Sequence, residues 1–198
     1  HFKKKEYDVC ELIYNEILEK DPNNYNTICN LAIISGMKNN WNDMENILLK
    51  AIKLNDNDPE IFNKIGIAYK NQGKIKLAIE SYNKAIKIKN NYAEAHYNLG
   101  ILKQNINELD SAIDSYKNAL LIKPNYVSAL NNIGNIMNEK DCQDEALRYY
   151  NMGLNYDPEN PDILNNLANI LVDKNQYSKA LEYFNLALKS SKDPAKIY

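Results

Sequence analysis

A chain of 198 residues with 44% hydrophobic and 25% charged side chains can bury a substantial core and is too apolar for disorder throughout. Its formal net charge of -2 offers no global attraction to nucleic acid or to an anionic membrane, and its one basic cluster, Lys3 to Lys5, is short and followed by Glu6. No apolar run approaches the roughly 20 residues of a membrane span, and Cys10, Cys29 and Cys142 form no C-x-x-C pair, so the expectation is free thiols in an intracellular, cytoplasmic or nuclear, compartment.

In chain order, residues 1–24 come first, with Tyr7, Cys10, Tyr14 and Ile17 at helical spacing and Asp21-Pro22 as a linker; they are expected to form the second helix of a truncated unit. From Tyr25 the chain can be written without a gap in lines of 34 residues, 25–58, 59–92, 93–126, 127–160 and 161–194. The first half of each line carries NLAIIS, KIGIAY, NLGILK, NIGNIM or NLANIL, and the second half carries a stripe such as IKLAIESYNKAI or LDSAIDSYKNAL. Apolar residues at spacings of three and four in both halves predict two amphipathic helices per line. Breakers separate them: Asn39-Asn40, Gln72-Gly73, Ile106-Asn107, Lys140-Asp141 and Asn175-Gln176 within lines, and Asp58-Pro59, Pro124-Asn125 and Asp157-Pro158 between them. Strands have no room in this pattern, and residues 195–198 align with Pro59 to Phe62 as the opening of a further first helix. The sequence therefore predicts an all-α protein built of antiparallel helix pairs.

Phe62, Ile65, Gly66, Tyr69, Ala78, Tyr82 and Ala85 fit the pattern W-x2-L-G-x2-Y followed by A-x3-F; so do His96, Leu99, Gly100, Ala112, Tyr116, Ala119 and Pro124. With Leu130, Ile133, Gly134, Ala146 and Tyr150, and Leu164, Leu167, Ala168, Ala180 and Phe184, the lines resemble tetratricopeptide repeats. That resemblance implies a right-handed α-solenoid, a superhelix whose successive first helices line a concave groove, and a module for protein–protein interaction that binds an extended peptide or a partner helix there.

The resemblance also places the residue just before each Leu-Gly pair in the groove. Here these are Asn30, Lys64, Asn98, Asn132 and Asn166, with Asn131, Asn135, Asn165 and Asn169 beside them. Asparagine lowers helix propensity by up to about 0.7 kcal/mol relative to alanine, so propensity alone would make alanine neutral or stabilising at these sites. An amide both donates and accepts, which suits it to pairing with a peptide backbone. The row is similar to the asparagine ladder in the repeat arm of protein O-GlcNAc transferases, which implies as an alternative the substrate-recognition arm of such an enzyme; the abundance of asparagine along the whole chain offers a purely compositional reading. Ile33, Ile67 and Ile101, at the positions of Asn135 and Asn169, give the earlier lines a more apolar face. The only arginine, Arg148, falls in a second helix, so the cationic clamp of chaperone-binding repeats is missing.

Catalytic chemistry finds no candidates. His96 stands where the pattern wants a large half-buried side chain, Glu80, Asp114 and Glu182 fall on solvated second-helix faces, and no metal-ligand spacing or phosphate loop occurs. The chain is accordingly expected to be no enzyme in itself, to use no cofactor or metal, and to have protein or peptide partners rather than nucleic acid or membrane. Cys10 replaces a helix-packing alanine and is expected to be buried; Cys29, next to Asn30, is expected to be accessible.

Overall fold

The structure is a computed structural model that describes residues 2–190, and within them the regular structure is entirely helical. After α1 (Phe2–Lys20) come first helices of 13 residues, α2 (Tyr25–Met37), α4 (Pro59–Asn71), α6 (Ala93–Asn105), α8 (Val127–Glu139) and α10 (Pro161–Asp173). They alternate with second helices of 14, α3 (Trp41–Leu54), α5 (Ile75–Ile88), α7 (Leu109–Ile122), α9 (Gln143–Tyr156) and α11 (Tyr177–Ser190). The expected helix opening at 195–198 lies outside the described residues.

Local chemistry sets these bounds. Asn24, Asp58 and Asn160 cap α2, α4 and α10 by accepting the backbone N–H of Thr27, Glu60 and Ile163, and Pro59 and Pro161 stand at the first helical position, where a missing N–H does no harm. Two residues after each first helix stands a residue with positive φ: Asn39 (58°), Gly73 (73°), Asn107 (62°), Asp141 (58°) and Asn175 (58°). Around four of them the chain closes a Schellman motif; for Asn39, its own N–H bonds Gly36 and that of Asn40 bonds Ser35, at 2.9 and 2.8 Å. Asparagine, aspartate and glycine are the residues that enter this left-handed region most readily.

The chain divides into two compact units, residues 1–106 and 107–198. In the first, α2 pairs with α3 and α4 with α5, while α1, α3 and α5 each pack on the first helix that follows. Its core runs through Ile28, Ala32, Leu48, Ile61, Ile65, Tyr82, Leu99 and Leu102. Gly66 makes the close crossing of α4 and α5 possible, because a Cβ there would stand 2.6 Å from the Tyr82 ring. In the second unit α8 pairs with α9 and α10 with α11, α7 packs on α8 and α9 on α10, and the core gathers Ala146, Tyr150, Ile163, Leu167 and Ile170. A Cβ on Gly134 would likewise collide with the ring of Tyr150.

Candidate functional site: the asparagine-bearing first helices

In the second unit, the amides of α8 and α10 form a connected network. Asn166 Nδ2 reaches back from α10 to donate to Asn131 Oδ1 at 3.0 Å and to Asn135 Oδ1 at 2.8 Å, and the buried Tyr150 hydroxyl donates to the same Asn135 oxygen at 2.7 Å. Asn132 Nδ2 donates to the hydroxyl of Tyr116 on α7 at 3.1 Å. One helix is thus stitched to the next through side-chain amides, which makes these asparagines structural as well as polar. The bonds use both protons of the Asn166 amide and the carbonyls of Asn131 and Asn135. They leave the Nδ2 groups of Asn131 and Asn135 and the carbonyl of Asn166 to a further partner. Asn165 is half-buried and its Oδ1 is buried without a hydrogen bond, whereas Asn169 is exposed.

The first unit repeats the step with fewer members. Asn98 Nδ2 donates to Asn63 Oδ1 at 3.0 Å, and Asn63 Nδ2 donates in turn to the Tyr92 hydroxyl at 3.4 Å. Burial above all pushes that hydroxyl up to about 12. Asn63 is itself buried and was missed in the sequence, although it occupies the line position of Asn131, and both are reached by an asparagine 35 residues further on. Asn30 is exposed, and Lys64 is held by Glu60 one turn earlier at 2.9 Å. Nearby, the Tyr25 hydroxyl donates to Asp58 Oδ2 at 2.6 Å. The expected contrast between thiols is absent, since Cys10 and Cys29 are both half-buried; burial pushes the Cys29 thiol up. Ile33, Ile67 and Ile101 are half-buried as well, Ile67 against the unit core. The network also overturns the propensity argument at Asn166, where alanine would remove two interhelical bonds.

Among the described residues no group of His, Cys, Asp and Glu could hold a metal ion, and no helix is long and apolar enough to cross a membrane. Family models of the TPR repeat match residues 68–106, and of the tetratricopeptide repeat residues 93–126 and 144–197. The chain is built of tetratricopeptide repeats. Solved structures with this repeat fold include that of MamA, 29% identical with a TM-score of 0.70 over 79% of this chain and 91% of that one. The Pseudomonas aeruginosa PilF structure reaches 0.79 at 18% identity, over 90% of this chain and 81% of that one. YrrB, described as a TPR protein with an unusual peptide-binding site, reaches 0.65 at 20% identity over 91% and 93%. No curated protein matches the chain. The all-α tetratricopeptide-repeat fold expected from the sequence is the fold observed.

Proposed function

We propose that the chain is a protein-interaction module that takes an extended peptide or a partner helix on the faces of its first helices, in the groove that the resemblance implies. The observation that carries this reading is the amide network of α8 and α10: intramolecular bonds fix the rotamers of Asn131, Asn135 and Asn166, and two NH2 groups and one carbonyl remain for a ligand. Pre-oriented amides of that kind lose little entropy on binding and read a backbone whatever its side chains. In the first unit Asn30, Lys64 and Asn98 stand at the line position of Asn166. The peptide-binding site of YrrB, a protein of this fold, is in keeping with the reading. The same amide row would serve the substrate-recognition arm of an O-GlcNAc transferase, and a glycosyltransferase domain in the same polypeptide would decide for it.

The test begins with a peptide-library selection and follows the selected peptide by calorimetry. Asn30→Ala and Asn169→Ala alter exposed amides that no fold contact uses, so their melting curves should match the parent. Replacing Asn131 as well should weaken binding at least tenfold, on the order of 1.4 kcal/mol. Unchanged affinity across all three would sink the proposal.

A further inference from the structure

The second helices of the first unit carry a different feature. Between α3 and α5 lies a cleft of 260 Å³, walled by Leu49, Ile52 and Leu77 and floored by Phe62, Ile65 and Tyr69 of α4. Leu49 and Leu77 are 39% and 42% exposed, large apolar side chains turned to water. Their counterparts in the other lines are polar: Asn83, Lys117, Asn151 and Asn185 for Leu49, and Asp43, Ser111, Glu145 and Lys179 for Leu77. Two leucines at positions that the repeat otherwise fills with polar residues form a local apolar patch on the surface.

Charge indicates what the cleft accepts. In the last two turns of α3 and of α5 the charged residues are all lysines, Lys50 and Lys53 on one helix and Lys84 and Lys87 on the other. Glu80 in the cleft and Asp56 in the adjoining polar groove are the acidic side chains at hand, and neither forms an ion pair with Lys84 or Lys87. Lys84 instead lays its ammonium over the Phe62 ring, 4.3 Å from its centre, where an apolar side chain would also fit. A ligand that covered Phe62 would displace that ammonium toward the ligand's own carboxylates.

We propose that this cleft is a docking site for an acidic peptide that inserts one bulky apolar side chain, phenylalanine or leucine, between Leu49 and Leu77. The anchor supplies affinity by filling the apolar cleft, and the lysines select acidic flanks and steer the approach. The site is made of second helices over a floor from α4 and is separate from the asparagine faces.

The probe is a fluorescein-labelled peptide of about ten residues, aspartate and glutamate around a central phenylalanine, beside the same peptide with alanine at the centre, chosen because one anchor side chain dominates such contacts. Fluorescence polarisation should show the phenylalanine peptide binding at least tenfold more tightly. Leu49→Asn with Leu77→Ser, which installs residues found at the equivalent positions, should abolish that difference, and Lys84→Gln with Lys87→Gln should weaken binding and flatten its salt dependence. The Asn30→Ala, Asn169→Ala protein should bind as the parent does. Equal binding of the two peptides, full affinity in the leucine variant, or no binding of the phenylalanine peptide at low salt would overturn the proposal.

Discussion

Tyr82 and Tyr150 stand at the same place in their lines, each fully or almost fully buried against a glycine, yet only Tyr150 has a partner for its hydroxyl. The difference lies one residue beyond the glycine, where Asn135 accepts from Tyr150 and Ile67 offers Tyr82 nothing. Removing a satisfied hydroxyl loses a hydrogen bond, whereas removing an orphan relieves a desolvation penalty. Tyr150→Phe should therefore cost about 0.5 to 1.5 kcal/mol in urea unfolding, and Tyr82→Phe should be neutral or stabilising. Equal losses would refute the account. At this scale the sequence showed the row of Asn98, Asn132 and Asn166, because a fixed register displays it. It hid Asn63, because nothing in a single line says which side chain of the preceding helix an amide will meet.

Gly73 closes the turn between α4 and α5 with φ at 73° and open space around it, so a methyl group there meets no atom and its effect is purely conformational. Gly73→Ala should destabilise by about 1 kcal/mol or somewhat more, since L residues resist the left-handed region. Asp141→Gly, at the same turn position with φ at 58°, should shift the melting temperature upward. The turns were legible in the sequence as pairs of breakers, because those residue types have few other uses between two amphipathic stretches. Repeated ion pairs of the helix ends were not. Lys38 meets Asp8 at 2.7 Å, Lys140 meets Asp110 at 2.5 Å and Lys174 meets Asp144 at 3.2 Å, each 30 residues apart, at exposed sites where such pairs contribute little. On α6, burial pushes the imidazole of His96 down, outweighing a hydrogen bond with the Asn90 backbone. A depressed folded-state value means that the unfolded chain takes up the proton first, so stability is complete above about 6.5 and falls as the pH drops below it. His96→Gln should flatten that slope in melts between pH 7 and 5, and an unchanged slope would show that other groups cause it.

Across the described helices, stability should be approximately a sum of helix-pair and neighbour terms, with the helices whose apolar side chains are most exposed least supported. In α1 the side chains of Leu12 and Val9 are 65% and 55% exposed, and in α11 Leu181 is 61% exposed, although its counterpart Ile113 is only 5% exposed. Native-state hydrogen exchange should find α1 and α11 opening well before α4 and α8, and stronger protection in α1 than in α4 would contradict this. The division between residues 106 and 107 had no trace in the sequence, because the line register runs through Ile106-Asn107 as through any other turn.

The chain has a single tryptophan, and Trp41 opens α3, half-buried against the core of the first unit. Its emission is therefore an optical reporter of residues 1–106 alone, while circular dichroism at 222 nm sums the helices of both units. Recorded on one sample, the two signals form a built-in test of cooperativity: superimposable transitions would mean that the units melt as one, and a displaced fluorescence curve would give the stability of the first unit directly, without dissecting the chain.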